Sequence, residues 1–161
     1  MEEIKVVFLD IDGVLNGSKT KERTPKQFEG GWSSGIRYTG IEPPKVELLV
    51  KLLLATDAKV VLSSTWRNHE ELHYYMWKQL GPLVRERYID KTDYIPNTYT
   101  NRGKEIYDWL EANKEKYKIT KFVILDDDSG VEDYFGQEFI KTSYVHGLTE
   151  ENIKESIIKL T

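Results

Sequence analysis

Residues 8–16 read FLDIDGVLN, and the way this stretch leaves a strand decides the fold. Residues 4–9, IKVVFL, form a continuous apolar, β-branched run, the pattern of a strand covered on both faces in a parallel sheet. The run ends at once in Asp10, Ile11, Asp12 and Gly13. Two carboxylates at the end of a buried strand are costly unless a cation or hydrogen-bond donors meet them. What else the chain brings to that place sets their meaning.

Working outward, KVVLS (59–63) and KFVIL (121–125) repeat the buried-strand pattern, the second ending in Asp126, Asp127 and Asp128. Shorter strands are expected near 87–91 and 138–142. Between them lie helical patterns. Pro43 and Pro44 open KVELLVKLLLA. Asn68 with Glu71 resembles a capping box for a helix closed by Gly81 and Pro82. Asn101 is placed to cap the helix carrying Ile106, Trp109 and Leu110, and Thr149 to cap the one carrying Ile153 and Ile157. Strands alternating with helices predict an α/β, Rossmann-like three-layer fold with a mostly parallel sheet. One domain over 1–161 is expected, with an inserted loop or flap at about 16–42, where glycines recur without a sustained period. In such sheets ligands bind beyond the carboxyl ends of the strands, where Asp10, Ser63 and Asp126 fall.

Composition narrows the chemistry. The 161 residues include 23 Lys and Arg against 27 Asp and Glu, a net charge of −4, which gives no general attraction to nucleic acid. The absence of cysteine excludes disulfides, thiolate nucleophiles and Cys-based zinc sites. The first residues are acidic where a signal peptide is basic, and no apolar run approaches the ~20 residues that span a bilayer. A soluble cytoplasmic protein, with no membrane association and no obligate protein partner, is the expectation.

A DxD sequence alone is more often a solvated loop or a cap. A second acidic group after a second buried strand changes that. Asp10, Asp12, Asp126 and Asp127 brought together cannot all stay ionised without a cation, and an oxygen-only cluster favours Mg2+, commonly with a substrate phosphate. Ser63 and Ser64 sit at a strand end, where hydroxyls and free amides can donate to phosphoryl oxygens. Arg102 stands at a helix start, where the macrodipole does not favour a cation; a fixed charge near the carboxylates would account for it.

The ordered set FLDIDGVLN, VVLSS, RGKEI and VILDDD resembles the haloacid dehalogenase (HAD) superfamily of phosphotransferases. LSSTWR, RGKEI, ILDDDS and the late HGLT are similar to small HAD domains associated with nucleic-acid repair proteins. The resemblance implies a HAD-like fold without a full cap domain. It makes Asp10 the nucleophile that forms an aspartyl-phosphate, and Asp12 the acid and base for the leaving oxygen and the water. It has Ser63 hold the phosphoryl group, and Mg2+ sit on Asp10, the backbone carbonyl of Asp12, Asp126 and Asp127. Arg102 falls where the superfamily generally has Lys, and Lys104 stands nearby as the alternative cation. The direct metal ligand within Asp126, Asp127 and Asp128 stays open, with Asp127 favoured because alternate side chains in an extended segment point oppositely.

The substrate expectation is a phosphomonoester on a nucleotide or nucleic-acid 3′ end, reached through an open cleft. Protein or small-metabolite phosphatases, and a non-catalytic phosphate-binding module, are the rivals. Lys19, Lys21, Arg23, Lys26 and Arg37, interleaved with Phe28, Trp32 and Tyr38, form a candidate nucleic-acid contact in the insertion. Trp66 and Arg67 follow the second motif and are placed to touch substrate, Trp66 being equally compatible with the core. His69, His73 and His146 are expected on the surface or in helix packing.

Overall fold

A computed structural model describes residues 2–23, 38–94 and 101–161. Strand β1 (Ile4–Leu9) runs at the centre of a five-stranded parallel sheet. Beside it lie β4 (Lys59–Leu62) and β6 (Ile119–Asp126), flanked by β5 (Tyr88–Lys91) and β7 (Phe139–Lys141), in the order β5-β4-β1-β6-β7. The register aligns Leu9 with Leu62 on one side and with Leu125 on the other. The three long apolar runs therefore end level, and the polar residues that follow them share one edge.

Both faces of the sheet are covered, which is why β1 reads as an unbroken apolar run. Val7 and Leu9 face a core built with Leu49, Leu52 and Leu53 of α1 (Pro43–Thr56), Met76 of α2 (Glu70–Leu80), Val84 of α3 (Pro82–Arg87), and Ile153 and Leu160 of α5 (Glu150–Leu160). Val6 and Phe8 face the opposite core, with Ile106, Trp109 and Leu110 of α4 (Arg102–Asn113). Phe8 meets Trp109 edge to face at 5.5 Å. The expected three layers are present.

Local signals operate as expected at two helix starts. The Asn101 side chain accepts from the amides of Gly103 and Lys104, and Thr149 forms a reciprocal capping box with Asn152. At α2 the expectation fails. Asn68 belongs to a 3-10 turn, Thr65–Asn68, and His69 takes the N-cap position without a side-chain hydrogen bond. Gly81 does end α2, but Pro82 opens α3 and does not share in closing α2, since proline at the first helical position loses no hydrogen bond. In the insertion, β2 (Glu22–Arg23) and β3 (Tyr38–Thr39) pair antiparallel as a two-stranded sheet. Of the residues expected to contact nucleic acid there, Lys26, Phe28, Trp32, Arg37 and the Arg23 side chain lie outside the described residues. Among the described residues no helix is long and apolar enough to cross a membrane.

Candidate active site

The shared strand edge gathers the acids. Asp10 follows β1 and is held by its amide on the Leu125 carbonyl, 3.1 Å, and the Ser63 amide reaches the Leu9 carbonyl at 3.0 Å. Carboxylate oxygens of Asp10, Asp126 and Asp127 all lie within 4.8 Å of one another. Asp10 is 5% exposed and Asp126 fully buried. Strand alternation favours Asp127 alone, yet both it and Asp126 reach the cluster. The strand ends at Asp126, and the Asp128 amide turns back onto Asp126 Oδ1 at 2.9 Å, which breaks the alternation. Asp128 itself is diverted: its Oδ1 accepts from the Gly130 amide at 2.7 Å and caps a 3-10 turn, Ser129–Asp133.

Gly13 makes room for Asp127. Its φ is +81°, and a Cβ built there would stand 2.4 Å from the Asp127 carboxylate. Any side chain would be strained by the backbone and would displace the acid. The Thr142 hydroxyl fixes this loop by donating to the Gly13 carbonyl at 2.6 Å.

Electrostatics call for a cation. Burial pushes Asp10 up to about 6, against the lowering effect of Arg102. Burial and the Asp10 charge drive Asp126 well above the usual carboxylate range, and burial raises Asp127. Asp126 Oδ2 has no hydrogen-bond partner, although Arg102 Nη1 stands 3.6 Å away. Among the described residues Arg102 is the guanidinium in ion-pair range of this cluster, with Arg67 paired to Glu105, so negative charge stays uncompensated. An oxygen-only donor set with an orphaned buried oxygen fits a hard divalent cation such as Mg2+.

The Asp12 carboxylate is not part of that cluster. Asn16 Nδ2 donates to its Oδ1 at 3.0 Å and Trp66 Nε1 to its Oδ2 at 3.1 Å. Asn16 is itself fixed by accepting from the Gly13 amide at 2.9 Å. The Asp12 side chain is thus committed elsewhere, and the expectation of a metal contact there rests on its backbone carbonyl.

The cations divide. Arg102 enters from the start of α4, donates to the Ser63 carbonyl, and lies 3.4 Å from Asp10 Oδ1 and 3.7 Å from Glu105. Burial alone would lower its pKa; Asp10, Asp126 and Glu105 outweigh that and raise it. Lys104, the alternative, points outward, and its ammonium is on Asp108 at 2.7 Å. One residue of helix separates directions by about 100°, so only one member of RGK can face the site.

Two expected substrate contacts have intramolecular partners in this structure. Arg67 is 5% exposed and spends its donors on the carbonyls of Ser63, Ser64 and Thr92 and on Glu105. The Ser64 hydroxyl accepts from the Trp66 amide and starts the 3-10 turn. Ser63 differs, because its buried Oγ has no partner. Among the histidines, His69 is exposed and His73 half-buried in α2, the pKa of His73 lowered by burial.

Sequence reasoning passed over Asn16, Glu105 and Thr142. The first two left a faint trace, Asn16 four residues after Asp12 and Glu105 three after Arg102 on one helix face. Thr142 left none, lying 129 residues from Gly13.

A parallel α/β sheet with acids beyond two adjacent strands, a strand-end serine beyond a third and a helix-borne cation is the arrangement of the HAD superfamily. The chain belongs to the family described as the HAD domain in Swiss Army Knife RNA repair proteins, whose model matches residues 6–153. No curated protein and no solved structure matches it.

Proposed function

We propose that the chain is a Mg2+-dependent phosphomonoesterase that works through an aspartyl-phosphate, with a 3′-phosphorylated nucleic-acid end as substrate. The observation that carries this reading is the separation of two carboxylates from one motif. Asp10 sits in the cluster with Asp126, Asp127 and Arg102, while Asp12 is held apart by Asn16 and Trp66. A nucleophile and a proton carrier need such different places. The family's RNA-repair context supports the choice of substrate.

In this scheme Asp10 attacks phosphorus, the bond to the leaving oxygen breaks, and Asp12 gives that oxygen its proton. Water then attacks the phosphorus of the aspartyl-phosphate and Asp12 takes its proton. Breaking of the phosphorus–Asp10 bond releases inorganic phosphate and restores the carboxylate. Arg102 and the unpartnered Ser63 hydroxyl are donors for the phosphoryl oxygens, whose charge grows during transfer. Asp10, Asp126 and Asp127 would hold Mg2+, which when bound supplies charge neutralisation to carboxylates and phosphate.

The test is a Mg2+-supplemented screen of 3′- and 5′-phosphorylated oligonucleotides, mononucleotides, sugar phosphates and phosphopeptides, with wild type and Asp10→Asn. Turnover by wild type alone, led by 3′-phosphorylated ends, is expected. Equal rates for the two proteins would end the mechanism. Activity confined to sugar phosphates or phosphopeptides would end the substrate choice.

A further inference from the structure

A cleft of about 330 Å³ opens beside Asp12, between the β2–β3 pair and the turn that follows β4. Polar Asp12, Glu22, Thr39, Thr65 and His69 line it beside Tyr38, Trp66 and Leu72; none of Asp10, Asp126, Asp127 and Arg102 does. Its size is at the lower end of small-ligand sites, roughly 300–1,000 Å³, enough for one nucleoside.

We propose that this cleft is the leaving-group pocket and that it recognises the ribose 2′-hydroxyl of a 3′-phosphorylated RNA end. The inference rests on the phosphatase reading above and goes beyond it by naming the groups that choose the sugar. In an in-line displacement the leaving oxygen departs on the side of phosphorus opposite Asp10, and its proton comes from Asp12. The group attached to that oxygen must therefore occupy space that Asp12 borders but Asp10 does not. This cleft has that relation to both.

Its chemistry selects among leaving groups. Its polar lining is Asp12 and Glu22 beside the hydroxyls of Thr39 and Thr65 and the His69 imidazole. Thr39, Thr65, His69 and Glu22 are groups that exchange hydrogen bonds with hydroxyls. On a ribose with its 3′-oxygen at Asp12, the 2′-hydroxyl is the adjacent substituent, the one these polar groups would read. The Trp66 ring closes the pocket while its indole N–H holds the acid, which couples sugar position to the proton carrier.

The experiment compares oligonucleotides of one sequence whose 3′-phosphorylated terminal residue is ribo or 2′-deoxy. Wild type should show kcat/KM about tenfold or more higher for the ribo end, the worth of a sugar hydrogen bond. Glu22→Gln and His69→Ala, both at exposed positions, should bring that ratio toward one. Equal kcat/KM for ribo and deoxy ends, with Asp10→Asn inactive, would overturn the pocket assignment and leave the phosphatase standing. A second readout is independent of turnover: the indole N–H resonance of Trp66 during titration with adenosine or 2′-deoxyadenosine. A shift with adenosine and a much weaker one with the deoxy compound is expected, even if no phosphomonoester is hydrolysed. No shift, or equal shifts, would overturn the pocket whatever the activity shows.

Discussion

Two arginines, Arg67 buried and Arg102 partly exposed, flank the strand-end serine and meet opposite kinds of partner. Arg67, on the turn after β4, meets three backbone carbonyls and one carboxylate, so its charge is used to hold β4, β5 and α4 together. Arg102, at the start of α4, meets one carbonyl and faces three carboxylates, two of them in the acidic cluster. Burial lowers the pKa of the first despite Glu105, whereas surrounding acids raise that of the second. Glu105 touches both. What separates the two guanidiniums is their partners, mostly neutral peptide carbonyls for Arg67 and mostly carboxylates for Arg102.

The sharpest way to break this comparison is Arg67→Ala. It leaves Glu105 and three carbonyls without their donor, and removing one partner of a buried pair costs roughly 3–5 kcal/mol. A Tm lowered by about 10 °C in calorimetry is expected. A variant of unchanged Tm with lost activity would make Arg67 a substrate contact after all. Arg102→Ala should do the reverse, lowering kcat/KM by about 10²–10³ while the Mg2+-loaded protein keeps its Tm. Loss of folding without loss of specific activity would exchange the two roles.

A smaller effect concerns pH. Burial raises Asp10 to about 6, so the metal-free folded chain keeps a proton that the unfolded chain, titrating near 3.8, releases. That stabilisation is complete below pH 3.8 and lost as pH rises through 6. A cation on the same carboxylates competes with the proton, so Mg2+ should stabilise more at pH 7.5 than at pH 5. A difference of roughly 3–5 °C in the Mg2+-induced shift of Tm is expected. Equal shifts would remove Asp10 from the cation site. The smallest effect belongs to Lys104→Ala, since that ammonium is in solvent on Asp108. Unchanged kcat/KM and a Tm within about 1 °C would sharpen the assignment of the third-motif cation to Arg102.

Much of the site was legible because chemistry and topology left the same mark. A buried parallel strand is an apolar run, and a carboxylate at its end can be read from residue type alone. Asp10, Asp126 and Asp127 came from that logic, as did the caps Asn101 and Thr149. Legibility failed where the deciding partner was far along the chain. Arg67 looked like a ligand group because Thr92 and Glu105, 25 and 38 residues away, were invisible as its partners. Asn68 looked like a cap because its backbone had to be assumed helical-start, and a 3-10 turn intervened.

By itself, then, the amino-acid order determined the layered α/β fold and the place where acids collect, because periodicity and strand ends are local properties. The division of labour among neighbours was decided only by tertiary structure. Which side chain of LSSTWR is scaffold, which of RGK faces inward and where Asp12 points depend on Trp66, Glu105 and Asn16 arriving at hydrogen-bond distance. Those distances are set by register and packing between elements, which no single segment encodes.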